Sequence, residues 1–171
     1  MTATIRRLHP SEAPALAVFG EACFREAFAR NFLPEGLDRL CPRVFERSVM
    51  EGLIEQGTWL AEDAEGWLGY LACGDTACPI PQLEPPTQEL ARLYVLQRGQ
   101  GRGVADPLMT CFLEEAIRRG CRSLWLQAFE GSPRALAFYR RWGFQDFGPF
   151  TVECEGLVLP HRALGRNLSG M

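Results

Sequence analysis

From Val104 onward the apolar residues Val104, Leu108, Phe112 and Ala116 recur at every fourth position, with Ala105, Met109 and Ile117 beside them. That stripe predicts an amphipathic helix, closed by positive charge and glycine at Arg118-Arg119-Gly120. A second stripe, Leu16, Phe19, Cys23, Phe24 and Phe28, predicts a helix that starts at Pro10-Ser11-Glu12 and runs to Asn31. Past a break at Pro34-Glu35-Gly36, a further helical region covers Leu37 to Gln56 and is interrupted near Pro42. Strands are expected at Thr4–Leu8 and at Thr58–Glu62 and Trp67–Cys73, the last two flanking a hairpin turn at Asp63-Ala64-Glu65-Gly66. Others follow at Glu89–Leu96 and Ser123–Phe129. Ser132-Pro133 reads as an N-cap and first helical position, opening a helix that ends at Trp142-Gly143. Phe144 to Leu164 suggests two terminal strands. Residues 74–87 carry four prolines and little periodicity, the pattern of a loop that can lie over a site.

The element order is one strand, two helical regions, a β meander, then strand, turn, helix, strand, helix and two strands. It predicts an α/β (α+β) fold, a mixed, mostly antiparallel twisted sheet with helices on both faces. A length of 171 residues suits one domain spanning 1–171. The hydrophobic fraction of 47% and charged fraction of 23% belong to a globular chain. A net charge of −3 argues against a nucleic-acid or anionic-membrane partner, and no apolar run is long enough to span a bilayer. All 18 basic residues are arginine. The seven cysteines are scattered through apolar segments without a Cys-x-x-Cys pair, and the two histidines, His9 and His161, lie near the ends. Reduced core thiols in a cytoplasmic protein, with no metal site, are expected.

The candidate chemistry begins in the stretch Glu89 to Asp106, a strand running into a glycine-rich turn that opens the Val104 helix. Amides at a helix start lack intrahelical acceptors and converge on an anion, and the helix dipole adds partial positive charge. A nucleotide-triphosphate loop would need Lys-Ser/Thr after the last glycine, where Val104-Ala105-Asp106-Pro107 stand. A dinucleotide fold would place the turn after the first strand of the chain. In the second informative stretch, seven positions separate Ser132 from Tyr139, two helical turns, so hydroxyl and phenol share a helix face.

Together the two stretches resemble the GCN5-related N-acetyltransferase (GNAT) superfamily. Its acetyl-CoA motif, Gln/Arg-x-x-Gly-x-Gly/Ala, is matched by Gln100-Gly101-Arg102-Gly103-Val104-Ala105, and a second family segment by Arg134-Ala135-Leu136-Ala137-Phe138-Tyr139-Arg140-Arg141-Trp142-Gly143-Phe144. The resemblance implies a sheet of six or seven strands whose fourth and fifth strands splay apart. It implies acetyl-CoA as co-substrate, held by Gln100, Gly101, Arg102, Gly103, Val104, Ala105 and Asp106, with the Gly101–Ala105 amides on the pyrophosphate. Leu93, Tyr94 and Val95 would line the pantetheine arm. Tyr139 would protonate the leaving thiolate, and Ser132 stands where the family usually has Asn, so its contact to the pantetheine would be shorter or absent.

The implied reaction is direct attack of an amine on the acetyl thioester, which requires a base because a protonated amine cannot attack. Glu89 matches the strand position of the base in some members, and Glu130 at the end of the next strand is the second candidate. Phe129-Glu130-Gly131-Ser132 and Phe24-Arg25-Glu26-Ala27-Phe28 look similar to polyamine and small-amine acetyltransferases, so a small-molecule amine acceptor is expected. Glu35, Glu51, Glu55 and Glu62 read as cation-attracting or as ordinary surface charge. A protein N-terminus or lysine is the alternative acceptor, and a non-catalytic acyl-CoA-binding module the alternative class. The aromatic terminal strands offer an edge that a second copy could cover as a homodimer.

Overall fold

The computed structural model describes residues 3–168. Its elements are β1 (Thr4–Arg7), a 3-10 turn at Pro10–Glu12, α1 (Ala13–Phe28), α2 (Pro34–Val44), α3 (Arg47–Gln56), β2 (Thr58–Asp63), β3 (Gly66–Gly74) and β4 (Thr87–Val95). A second 3-10 turn at Gln97–Gly99 is followed by α4 (Ala105–Arg118), β5 (Ser123–Phe129), α5 (Pro133–Arg141), β6 (Gln145–Cys154) and β7 (Leu157–Asn167). The seven strands lie in the order β1-β2-β3-β4-β5-β7-β6. β4 and β5 run parallel, while β1–β2, β2–β3, β5–β7 and β6–β7 are antiparallel, which is the mixed sheet expected. The chain divides into two compact units, one formed by the residues up to Gly74 with Arg92–Leu113, the other by Asp75–Ala91 with the residues from Glu114 onward.

In the first unit α1 and α3 pack on each other and on β3. Leu16, Leu40, Met50, Leu60, Leu68 and Leu71 are fully buried there, each worth about 1.5–3 kcal/mol of transfer free energy. The buried stripe of α1 is Ala13, Leu16, Gly20, Cys23 and Phe24, so Gly20 lies at its centre. A Cβ on Gly20 would stand 2.8 Å from Phe45 Cε1 and 3.0 Å from the Tyr70 hydroxyl, and glycine is what lets those rings approach the helix. The helical boundaries expected near the prolines are corrected. Pro34 is the first residue of α2, where its missing N–H costs nothing, and Pro42 sits inside α2 in its last turn, so the break falls at Phe45-Glu46.

The second unit is built on the N-terminal half of β4, β5, β7 and β6. The parallel pairing covers Thr87–Glu89 against Ser123–Trp125, short of the C-terminal end of either strand. β6 and β7 form a hairpin whose turn, Glu155-Gly156, has φ of 49° and 74° at its two central residues. Segment 75–86 lies against one face of these strands, with Ile80 and Leu83 packed on Trp125 and Ala163, and Cys78, Phe147 and Phe150 around them. Glu115, 6% exposed on α4, receives Arg118 at 2.7 Å and Arg119 at 2.8 Å, and Arg119 also donates to Gln88 Oε1 at 3.0 Å.

No disulfide joins the cysteines among the described residues. Burial and the nearby Glu26 push the Cys23 thiol up to about 12, so it stays protonated and packs as a small apolar group. Among the described residues no helix is long and apolar enough to cross a membrane.

Candidate active site

The glycine-rich turn belongs to the first unit. β4 ends at Val95, the chain turns through Gln97–Gly99, and α4 begins at Ala105, where the stripe beginning at Val104 placed it. Gly99 is buried, and a Cβ there would meet Val95 Cγ1 at 3.1 Å and the Leu68 carbonyl at 3.3 Å. Gly101 and Gly103 are different in kind. Their φ values are +75° and +72°, and a Cβ on either would meet nothing within 4 Å. Glycine is required there by backbone conformation, and the space outside the turn is open. The N–H groups of Gly101, Gly103 and Val104 have no backbone acceptor among the described residues. Unpaired amides at a helix start form a site suited to an anion.

Side chains around the turn hold its shape. Gln100 Nε2 donates to the Val95 carbonyl at 3.0 Å, Arg98 donates to the Trp67 carbonyl at 2.7 Å, and Gln97 donates its backbone N–H to Glu26. Asp63 takes both Arg98 at 3.4 Å and Arg102 at 3.2 Å. Desolvation works to raise the Asp63 pKa, but the Glu65 amide and the two guanidinium groups hold it below the ordinary carboxylate range. Tyr94 turns its ring to Phe24 at 6.0 Å and Tyr70 at 5.9 Å, so its side chain belongs to the aromatic core. Leu93 and Val95 alternate with it on β4.

In the second unit, Glu89 is 5% exposed and accepts the Thr76 amide at 3.0 Å. Its Cα partner is Trp125, and paired strand residues project to the same face. Alternation along β5 therefore puts Gln127 and Phe129 on the Glu89 face, and the β5–β7 register adds Ala163 and His161. Burial raises the Cys78 thiol within segment 75–86, and the Glu89 carboxylate adds to the effect. Glu130 takes the other side. Its amide donates to the Pro160 carbonyl at 2.9 Å, and its charge acts on Arg162, which pairs with Asp146 at 3.0 Å on the opposite face. The two carboxylates singled out from the sequence thus lie on opposite faces of β5.

Tyr139 is 7% exposed on α5, set edge-on between Phe138 at 5.5 Å and Phe144 at 6.0 Å. Gly143, at φ +82°, terminates the helix, and Arg166 donates to the Trp142 carbonyl there at 2.8 Å. Ser132 occupies the N-cap position, as its sequence context predicts, but its side chain makes no capping hydrogen bond. Its ψ of 71° departs from the extended conformation that turns a cap hydroxyl toward the N2 and N3 amides. Two groups on the Glu89 face were not singled out from the sequence, Gln127 and His161. A polar residue at an inward position of an otherwise apolar strand was the available signal for the first.

The sequence profile of the acetyltransferase (GNAT) family matches residues 22–144. The chain is 26% identical over 100 residues to YjgM, an uncharacterized N-acetyltransferase of Escherichia coli K12, covering 58% of this chain and 57% of that protein's length. The fold matches a GCN5-related N-acetyltransferase from Rhodopseudomonas palustris with a TM-score of 0.77 at 19% identity, over 98% of this chain and 97% of the other. It also matches the PaiA N-acetyltransferase of Thermoplasma acidophilum, solved in complex with coenzyme A, with a TM-score of 0.77 at 13% identity, over 98% and 99%. With more than half its length under the family profile, and with the glycine turn, the parallel pair and the mixed sheet all in place, this chain belongs to the GNAT acetyltransferase family.

Proposed function

We propose that the protein transfers acetyl from acetyl-CoA to the primary amine of a small molecule by direct attack. The observation that carries this reading is the glycine turn at the start of α4, where Gly101 and Gly103 hold positive φ with open space where a Cβ would stand, and the amides of Gly101, Gly103 and Val104 have no backbone acceptor among the described residues. The Gly101–Ala105 amides hold the pyrophosphate of acetyl-CoA, and β4 around Leu93 and Val95 lines the pantetheine arm. Glu89, buried yet hydrogen-bonded, accepts the proton of the incoming ammonium, directly or through one water. The amine lone pair then forms the C–N bond as the thioester C–S bond breaks, Tyr139 gives its proton to the departing thiolate, and the second proton lost from the nitrogen passes through water to restore the Tyr139 hydroxyl. Glu130 lies on the other face of β5 and is not assigned the base. The PaiA relative, solved with coenzyme A, supports the donor half.

The test measures CoA thiol release from acetyl-CoA with a panel of primary amines. Turnover above background, together with a fall in kcat for Tyr139→Phe of about a hundredfold or more at unchanged acetyl-CoA affinity, is expected of a general acid. Tight acetyl-CoA binding with no turnover on any amine would instead identify an acyl-CoA-binding module that has kept the fold.

A further inference from the structure

The group assigned as base is closed off. Glu89 is 5% exposed, and its Oε2 already accepts the Thr76 N–H at 3.0 Å. Cys78 lies near enough that the carboxylate adds to the burial that raises its thiol. Two residues of segment 75–86 therefore stand against the carboxylate that the reaction must reach. A base takes a proton only at hydrogen-bond distance or through one water, so an incoming amine and the Thr76 N–H compete for the same oxygen.

The segment is held unevenly along its length. In its later half the Ser123 hydroxyl donates to the Glu84 carbonyl at 2.7 Å, the Glu84 N–H to Asn167 Oδ1 at 3.2 Å and the Arg122 N–H to the Pro86 carbonyl at 2.7 Å. Ile80 and Leu83 are buried against Trp125 and Ala163, and a Cβ on Gly165 would stand 2.6 Å from Leu83 Cδ1. Residues 75–79 have no such anchorage. Asp75, Thr76, Ala77 and Pro79 are exposed, and among the described residues the Thr76 N–H on Glu89 is the one hydrogen bond that ties residues 75–79 to the strands. A stretch with few buried contacts and a single tie opens at low cost while the structure around it stays folded.

We propose that residues 75–79 form a strap latched on Glu89 by the Thr76 N–H, and that the acceptor amine reaches the carboxylate by displacing that N–H while Ile80 to Pro86 stay in place. The proposal rests on Glu89 as the base of the N-acetyltransferase reading and adds how the acceptor gains access to it. The exchange replaces a neutral donor with an ammonium, whose hydrogen bond to the carboxylate joins two charges. Thr76 is exposed, so its released N–H turns to water and no buried donor is stranded.

Native-state hydrogen exchange reads the latch without any substrate. The Thr76 amide of the wild type should exchange about a hundredfold or more faster than the β5 amides, through an opening that leaves the sheet intact. Glu89→Gln should keep most of its protection, and Glu89→Ala should lower it about tenfold or more, the size of one hydrogen bond to a charged group. Thr76→Pro removes the latch and leaves the base. Carbodiimide coupling of glycinamide to Glu89, followed by mass spectrometry, should run about tenfold or more faster in that variant, with thermal unfolding recorded alongside. The KM for the best amine of a panel should fall by a similar factor, because apparent affinity follows the open fraction, while the KM for acetyl-CoA stays unchanged. Thr76 protection equal to that of the β5 amides overturns the strap, and so does a folded Thr76→Pro whose Glu89 couples at the wild-type rate. Faster coupling with an unchanged amine KM overturns its role in acceptor entry. Should Thr76→Pro not fold, the exchange measurements decide alone. If no amine is acetylated, the enzyme reading falls, and exchange and coupling still decide whether the strap exists.

Discussion

The Glu89 carboxylate accepts the backbone N–H of Thr76 at 3.0 Å, which ties the middle of β4 to the start of segment 75–86. The group assigned as base is thus also a structural acceptor, and the two roles separate by substitution. Glu89→Gln keeps an oxygen for the Thr76 amide and loses the ability to take a proton at neutral pH. Its kcat should fall by about a hundred- to ten-thousandfold. The unfolding midpoint should stay near that of the wild type. Steady-state kinetics and a thermal melt on the same preparation check both statements, and wild-type turnover in the variant would remove Glu89 from the mechanism.

The turn at the head of α4 responds to side chains through conformation. In Gly103→Ala the added Cβ meets nothing within 4 Å, but the residue must hold φ near +72°. The folded state should lose about 1–2 kcal/mol from backbone strain alone. Acetyl-CoA affinity should fall more steeply, because the methyl projects into the open space beside the turn, where the proposed pyrophosphate site lies. Calorimetric titration with acetyl-CoA, set against chemical unfolding, gives the two losses independently.

Gly20 is a place where helix propensity and packing oppose each other. Alanine gains about 1 kcal/mol over glycine in a helix interior. The Cβ, however, would stand 2.8 Å from Phe45 Cε1 and 3.0 Å from the Tyr70 hydroxyl, and overpacking of that kind costs about 1–3 kcal/mol. Packing wins, so Gly20→Ala should unfold at lower denaturant. Adding Phe45→Leu should recover part of the loss, and additive effects of the two changes would contradict the clash.

Glu115 gives the fold an acid dependence. Hydrogen bonds from Arg118, with Arg119 assisting and burial opposing, lower its pKa from an ordinary 4.5 to about 2. A folded-state pKa below the unfolded one stabilises the protein above the unfolded value, and the gain is lost as pH falls from about 4.5 toward 2. A displacement of that size is worth at most about 3 kcal/mol. Glu115→Gln should flatten the acid limb of stability against pH in that window, which urea unfolding at a series of pH values measures.

Much of the fold was legible in the sequence because local chemistry specifies it. β5 lies at Ser123–Phe129 as the apolar run and its flanking turns indicated, and the 58–73 hairpin turns at Gly66, where φ is +116°. The helix opened by Ser132-Pro133 starts with Pro133 as its first residue. The helical boundaries around Pro34 and Pro42 were misread, since a proline reads locally as a breaker and only its position within the helix shows whether its missing N–H was needed. The Ser132 cap bond was likewise expected from residue type, and the backbone angles at that position decide against it.

The sequence by itself determined where the glycine turn and the start of α4 would lie, because Gln100 to Ala105 carries their requirements in consecutive residues: glycines for positive φ and the first positions of an amphipathic stripe. Tertiary structure alone decided which side chains share a face. Glu89 and Glu130 look equivalent as strand-end carboxylates along the chain. The parallel register of β4 with β5 and the antiparallel register of β5 with β7 put Glu89 together with Gln127 and His161, and Glu130 on the other side with Arg162. A strand alternates its side chains with a period of two, so a change of one residue in register would exchange the two faces, and register is a property of pairing between strands far apart in sequence.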